Sequence, residues 1–312
     1  MKFKSALFFF FFIAFQVVVL SQQNTYEFMR IDMSPRAGDL AGSFVSNNDD
    51  PYVIFYNPAG INLLTENPVS FSFVKHLLDI NLASISYSTD YEDYGRFAAG
   101  IKYINYGSFQ GADEVGNKLG EYGAGEVAFI IGYGNSLDEN FYYGANVKFI
   151  YSGIEERSST ALALDLGLHY SIPGEMMNIG FSVLNIGSQL SYYINTKEDL
   201  PLDVVLGVSK KLEHLPLRLS VDFHKLNEER DDIAQRFKAF SVGAEFTLSR
   251  VLTLRLGYDN EKRNELKIGN FAGIAGFNVG FGANISAYHF SYGFSSMGAI
   301  GSLHRIGITT NI

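Results

Sequence analysis

Ser220, Asp222 and His224 alternate along one short stretch of the chain, and their side chains are those of a hydrolase triad. On an extended strand the three side chains share one face, where neighbours lie about 7 Å apart. A nucleophile, its base and the group that orients the base must form a single hydrogen-bonded chain. Three residues on one strand do not supply that chain by themselves, so we interpret them as polar groups inside the fold.

Other residue types that support catalysis or metal binding are also poorly placed. Asp165 and His169 share a strand face but lie about 13 Å apart along it. None of the histidines has the spacing of a metal site, and the chain has no cysteine. The sequence therefore predicts neither an enzyme nor a cofactor. Its formal net charge of -9 also argues against a nucleic-acid partner.

The elements that must position these polar groups are short strands. From Ser70 onward, about fourteen stretches alternate apolar and polar residues, the pattern of a strand with one apolar and one polar face. In Phe141–Ser152, Val147 and Phe149 share the apolar face. Many such strands predict an all-β fold: a transmembrane antiparallel β-barrel of about 14 strands, with lipid outside and a polar lumen.

The polar faces of the predicted strands define the lumen of this barrel. Its polar residues are predicted to be Asp165, His169, Arg218, Asp222, His224, Glu245 and Arg255. The same pattern places Val147 on the lipid face, so Val147→Lys should impair assembly at a cost of about 2–4 kcal/mol. Asn146→Lys, on the lumen face, should be tolerated.

The lengths of the connections provide an independent argument for a barrel. Most odd-numbered strands precede long connections, at about 105–124, 187–202, 225–236 and 260–272, and even-numbered strands precede short ones. A soluble β-sandwich has no reason to separate its loops in this way. We expect the long connections outside the membrane, where they are candidates for binding a partner. The candidate residues are Tyr106, Phe109, Asp113, Glu114, Tyr122, Glu228 and Arg230.

The N-terminal part of the chain differs from the strands. Residues 1–21 are a predicted signal peptide, because Lys2 and Lys4 precede an apolar stretch of about 15 residues, too short for a spanning helix. Residues 22–69 are irregular but rich in aromatic residues, which favours a hatch, or plug, inside a barrel of residues 70–312. The alternative is a periplasmic tail. Export and a barrel together predict the outer membrane of a Gram-negative cell.

Several motifs resemble known families. The start of the mature chain is similar to FadL-like outer-membrane barrels of Bacteroidetes, in which this segment forms the hatch. The motifs that carry this likeness are Thr25-Tyr26-Glu27-Phe28, Ser34-Pro35-Arg36-Ala37 and Asn57-Pro58-Ala59-Gly60. Later segments resemble the PorQ family of the type IX secretion system, over nearly all of the mature chain. These are Tyr103-Ile104-Asn105-Tyr106-Gly107-Ser108-Phe109, Leu184-Asn185-Ile186-Gly187-Ser188 and Leu206-Gly207-Val208-Ser209-Lys210-Lys211.

The resemblance implies a role that composition and periodicity do not. It implies a non-catalytic component of the attachment complex that fixes secreted cargo with C-terminal signal domains to the cell surface. Its implied partners are a PorZ-like surface protein, the sortase-like PorU, the related barrel PorV and the lipids of the outer membrane. The alternative function is that of a FadL-like transporter of hydrophobic compounds, since Gly273, Gly276, Gly280 and Gly282 could permit a kinked strand.

Overall fold

A computed structural model of the chain describes residues 24–228, 233–267 and 273–312. The predicted signal peptide, residues 1–21, and the candidate loop residue Arg230 lie outside the described residues. The described residues include no helix long and apolar enough to cross a membrane.

Fourteen antiparallel strands form one closed barrel, in which each strand pairs with its neighbours in sequence and β1 pairs with β14. The strands are β1 Pro68–Lys75, β2 Asn81–Tyr91, β3 Gly95–Ala112, β4 Lys118–Asp138, β5 Phe141–Ile154, β6 Arg157–Ile172, β7 Met177–Ser191, β8 Asp203–Lys211, β9 Leu217–Phe223, β10 Phe240–Thr247, β11 Leu252–Asp259, β12 Phe277–Ile285, β13 Tyr288–Ser296 and β14 Ser302–Asn311. The predicted fold class, a 14-stranded antiparallel barrel, is confirmed.

Alternation along the strands separates an apolar outer face from a mostly polar or small-residue lumen. On β6, Leu162, Leu164 and Leu166 are exposed on the outside, whereas Ala163 and Asp165 are buried. On β5, Val147 is 54% exposed and its neighbour Asn146 is fully buried. The outer face is therefore suited to lipid, and closure of the sheet leaves no unpaired edge around the ring of strands.

The two ends of the barrel differ in their connections. Pro68 of β1 pairs with Asn311 of β14, so the barrel begins and finishes at one end, which we call the inner end. Short turns lie at the inner end, and the long connections after β7, β9 and β11 lie at the opposite, outer end. Barrels of the outer membrane place short turns in the periplasm and long loops outside, and the two ends of this barrel differ in the same way.

The prediction of an irregular loop at 105–124 is wrong. β3 and β4 continue through most of it and are 18 and 21 residues long, whereas a spanning strand needs about 9–11 residues. A bulge between Asn105 and Ser108 bends the extended part. The predicted loop at 187–202 is likewise shorter, because β7 continues to Ser191. Turn residues such as Gly107, Asp113 and Gly116 masked the strand pattern in the sequence.

Helices are few and short. They are α1 Pro35–Asp39, α2 Ile233–Arg236 and α3 Asn260–Glu265, with 3-10 turns at Glu27–Arg30, Pro51–Phe55, Pro58–Leu63, Pro173–Glu175 and Gly298–Ile300. Of the elements that precede β1, the three that start at Pro35, Pro51 and Pro58 begin in the same way. Ser34, Asp50 and Asn57 each cap a backbone N–H, and each precedes a proline at the first helical position. Each of these three residue pairs, in which a polar residue precedes a proline, therefore marks the start of a helical turn.

Candidate functional site: the filled lumen

Residues 24–67, which we call the hatch, lie inside the barrel. α1 contacts β11, β12, β13 and β14, whereas the turns at Pro51–Phe55 and Pro58–Leu63 contact β1 to β6. Most hatch residues from Tyr26 to Ile61 are buried. The lumen is therefore occupied by the chain's own N-terminal segment.

The Asn57-Pro58-Ala59-Gly60 motif joins the hatch to the wall. The Asn57 side chain accepts a hydrogen bond from the Ala59 N–H at 3.1 Å, which starts the following turn. Its amide donates to the carbonyl of Val45 at 2.8 Å and to the carbonyl of Leu168 on β6 at 3.0 Å. A single buried side chain thus links two parts of the hatch to one strand, which explains why the motif needs Asn.

Glycines on the wall allow the hatch backbone to approach it directly. A Cβ added to Gly167 would lie 2.9 Å from both the Ala59 nitrogen and Pro58 Cδ, and one at Gly144 would collide with Pro58. The same close approach recurs around the lumen. The set, which we call the glycine girdle, is Gly134, Gly144, Gly167, Gly180 and Gly257. Because no side chain separates hatch from wall there, the hatch fits the lumen closely.

An ionic cluster ties the hatch to the inner half of the wall. Arg36 of α1 donates two hydrogen bonds to Glu245 on β10, at 2.7 and 2.8 Å, and one to Asp49 at 2.9 Å. Arg255 on β11 donates to Glu245 at 2.9 Å, and Arg218 on β9 donates to Asp49 at 2.9 and 3.1 Å. Bidentate, charge-assisted contacts of this kind fix geometry as well as charge. The inner ionic cluster therefore holds α1 in one position.

Asp39 stands beside this cluster without a full set of partners. Its carboxylate is fully buried, one oxygen is 3.6 Å from Arg255 Nη1, and neither oxygen accepts a hydrogen bond. Arg255 is already engaged by Glu245 and by Ser291. Burial raises the pKa of Asp39 to about 8, because a desolvated carboxyl group favours its neutral form. We therefore expect Asp39 to carry a proton near neutral pH.

A second buried ion pair lies in the wall itself. Lys148 on β5 contacts Asp165 on β6 at 2.7 Å, and both side chains are almost fully buried. Asp165 also accepts hydrogen bonds from Asn146 and from the backbone of Asn185. Asn146 in turn donates to the hatch carbonyl of Ile54 at 2.8 Å. These contacts argue against the expectation that Asn146→Lys is tolerated, because the side chain faces a filled lumen and not water.

The residues of the triad-like stretch bind other groups. Asp222 accepts hydrogen bonds from the backbone N–H groups of Phe44 and Val45, at 2.7 and 2.8 Å, and so anchors the hatch. His224 pairs with Ser241 at 3.1 Å. His169 is buried, with its ring centroid 6.2 Å from that of Tyr142. Asp222 thus serves as an acceptor for the hatch backbone and does not orient His224.

The outer half of the lumen is apolar. Tyr26, Phe28, Met29 and Met33 of the hatch pack against wall residues that share this character, among them Val74, Leu82, Ile104, Ile150 and Leu303. Lys102 reaches into this region and donates to the hatch carbonyls of Met29 and Ile31, at 2.7 and 3.1 Å. Apolar packing therefore holds this part of the hatch together with hydrogen bonds to its backbone carbonyls, which also include one from Arg305 to Asp32 at 2.9 Å.

A small cavity remains between hatch and wall. Its volume is about 60 Å³, and Met29, Tyr56, Lys102, Asn185 and Asp222 are among its lining residues. A buried water needs at least about 10–15 Å³, whereas sites for drug-sized ligands occupy about 300–1,000 Å³. This cavity has room for water but not for an organic ligand.

The candidate partner residues lie at the outer end and differ in their contacts. The Tyr106 hydroxyl donates to Glu126 at 2.6 Å, and the rings of Phe109 and Tyr122 stack with centroids 5.6 Å apart. Asp113 caps the turn between β3 and β4, and Glu114 is exposed in that turn. Glu228 lies in the separate connection after β9, so the candidate residues do not form one site.

Sequence reasoning missed several residues of the lumen. Arg36, Asp39 and Asp49 lie in the irregular segment, where no periodicity indicates which side chains meet the wall. Lys148 could have been found, because it shares the lumen face with Asn146 and lies opposite Ala163, two residues before Asp165 on the same face of β6.

Comparisons with known proteins agree with the fold. No protein-family model and no curated protein sequence matches the chain. Among solved structures, the toluene transporter TbuX of Ralstonia pickettii matches with a TM-score of 0.59 and 12% identity, over 93% of this chain and 98% of that one. The toluene transporter TodX of Pseudomonas putida matches with a TM-score of 0.57 and 12% identity, over 94% and 98% of the two chains.

A third solved structure extends this group. A FadL homologue of Pseudomonas aeruginosa matches with a TM-score of 0.55 and 10% identity, over 89% of this chain and 98% of that one. The fold is that of FadL-type outer-membrane barrels. Identities this low show the fold alone, and an outer-membrane barrel fold fits location in the outer membrane.

Proposed function

We propose that this chain is a closed outer-membrane barrel that serves as a docking component of a type IX secretion attachment complex. The observation that carries the proposal is the close fit of hatch to wall. Hatch backbone lies against the glycine girdle, and Arg36 forms a bidentate contact with Glu245. A lumen closed in this way is compatible with a protein that holds a partner at its outer end.

The sequence resemblance supplies the identity of the partners in this proposal. They are a PorZ-like surface protein, the sortase-like PorU and the barrel PorV. The projecting ends of β3 and β4 give the outer end a polar and aromatic surface on which a protein could dock. Chemistry at the lumen is not part of the role, since Asp222 and Arg255 contact the hatch and the wall.

Deletion of the gene in its own organism tests this proposal. Proteins that carry a C-terminal secretion domain should lose surface anchoring, or accumulate in the periplasm with that domain uncleaved. Complementation with the wild-type chain should restore anchoring. Mature cargo that remains anchored in the deletion strain would overturn the proposal.

A second candidate function is passage of small hydrophobic compounds. The solved neighbours favour it over secretion, because two of them are named as toluene transporters. The apolar packing of Phe28 and Met29 in the outer half of the lumen also suits an apolar solute once that segment moves. Uptake of radiolabelled toluene and of a long-chain fatty acid by deletion and complemented cells tests it. Equal uptake by both strains would exclude this function.

A further inference from the structure

We infer that the ribbon formed by the outer ends of β3 and β4, residues 106–123, is a docking arm for a protein surface that is basic and partly apolar. The inference rests on the proposed docking function and names the surface that performs it. The connection after β9, which carries Glu228, is not part of this arm.

The ribbon projects without support from other strands. β2 pairs with β3 only as far as Asn105, and β5 pairs with β4 only as far as Ala124. Beyond these residues β3 and β4 pair only with each other, up to Ala112 and Lys118. At about 3.3 Å per residue this places the tip some 20 Å beyond the neighbouring strands. β8 to β14 are only 7–10 residues long, so the ribbon rises over one side of the barrel mouth.

The ribbon is ordered in spite of this isolation. A two-stranded hairpin alone is at best marginally stable in water, so specific contacts must hold it. Phe109 and Tyr122 stack across the two strands. At the tip, Asp113 accepts hydrogen bonds from the N–H groups of Val115 and Asn117, at 3.0 and 2.8 Å. At the base, Tyr106 is fixed to Glu126. A pre-ordered arm loses little entropy on binding.

The exposed side chains of the ribbon define the chemistry of its partner. Val115 is 86% exposed, Leu119 57% and Phe109 40%, which is more apolar surface than a solvated hairpin needs. Glu114 is exposed in the turn next to Val115, and Glu121 is exposed on the face of the ribbon opposite to Phe109 and Tyr122. Lys118 is the only basic residue from 106 to 123. A surface that is both acidic and apolar fits a partner that is basic and apolar.

The charge around the ribbon extends this argument. The neighbouring turn between β5 and β6 contains Glu155 and Glu156 next to Arg157, and the connection after β7 contains Glu198 and Asp199 next to Lys197. Each segment therefore adds one net negative charge. A field of this sign repels nucleic acid and the phosphates of lipid headgroups, and it attracts a basic protein surface. A protein partner is therefore favoured over a lipid or polyanion.

Charge reversal on the ribbon tests the inference. In the native organism, a tagged chain with Glu114→Lys and Glu121→Lys should recover at least ten-fold less of the PorZ-like protein than wild type does. A matched control, Glu92→Lys with Asp93→Lys, changes the charge equally at the turn between β2 and β3 on the inner end. It should recover the partner as wild type does. Heat-modifiable migration in gels would establish that each barrel is folded.

A second variant tests the apolar part of the arm. Phe109→Ala with Tyr122→Ala should also reduce recovery, whereas barrel assembly should be unchanged because the ribbon lies beyond the wall. If wild type recovers the partner and both ribbon variants recover it equally well, the inference that the ribbon is a docking arm is wrong, and the proposed function stands. If wild type itself fails to recover the partner, the proposed docking function is overturned and the arm with it.

Discussion

The two halves of the lumen hold the hatch through different kinds of interaction. In the inner half, Arg36 contacts Glu245 and Asp49 through charge-assisted hydrogen bonds, and hatch backbone lies against wall glycines. In the outer half, Phe28 and Met29 pack against apolar wall residues. Directional contacts fix one arrangement, whereas apolar packing tolerates several arrangements of similar energy. The contrast teaches that charge-assisted contacts between side chains fix the hatch in the inner half, whereas apolar packing and hydrogen bonds to hatch carbonyls hold it in the outer half.

The largest effect is expected where hatch backbone touches the wall. Gly167→Leu places a side chain where Ala59 and Pro58 already lie, and backbone on both sides cannot yield. We expect failure to assemble, seen as loss of the heat-modifiable barrel band. Gly120→Leu is the matched control, because a Cβ there meets nothing within 4 Å. Normal assembly of the Gly167 variant would mean that close contact between hatch and wall at the glycine girdle is not required.

A smaller effect is expected from opening the inner ionic cluster. Arg36→Met removes the bidentate partner of the largely buried Glu245 and one partner of the half-exposed Asp49. Because Glu245 is left as a poorly compensated buried charge, the change should cost about 3–5 kcal/mol. In the outer half, Tyr26→Phe removes only a hydroxyl contact to Ser159 and should cost about 0.5–1.5 kcal/mol. The free energy of unfolding in urea would measure both. Equal losses would remove the distinction between the two halves.

Asn146 and Val147, which are neighbours on β5, allow a lumen-facing position to be compared with a lipid-facing one. Val147→Lys places a charge on the exposed apolar face and should cost about 2–4 kcal/mol if it lies at the bilayer midplane. Asn146→Lys should also impair assembly, because Asn146 binds Ile54 and Asp165 in a filled space. The yield of folded barrel in membranes would report both. Tolerance of Asn146→Lys would show that the lumen at this level has room.

The effect of Asp39→Asn is expected to depend on pH and to be smallest near pH 4. The pKa of Asp39 is raised by burial to about 8, above its unfolded value of about 3.9. The folded state therefore binds the extra proton, so wild-type stability should fall as pH rises from about 4 to about 8. Asp39→Asn should remove that part of the fall, so its stability advantage over wild type should grow from about pH 4 to about pH 8 and then level off. The pH dependence of the thermal midpoint measures this, and parallel curves would contradict it.

Much of the fold could be predicted from the sequence because a strand repeats every two residues. Val147 and Leu164 face outward, and Asp165 and Arg255 face inward, as that period requires. The hatch contacts were not predictable, since the partners of Arg36 are distant in sequence and follow no period. The ribbon was not predicted, because the glycine and aspartate residues of its turn are typical of an irregular loop. Only the pairing of β3 with β4 shows that both strands continue through this segment.

The most direct test of the closed lumen is to lock the hatch to the wall. Ser43 and Ser241 face each other with their hydroxyl oxygens 2.9 Å apart, and the chain has no cysteine to interfere. Ser43→Cys with Ser241→Cys should therefore form a disulfide that holds the hatch in place. The account predicts that surface anchoring of cargo is the same with the disulfide formed or reduced. Loss of anchoring on oxidation, with recovery on reduction, would contradict it, because the hatch would then have to move.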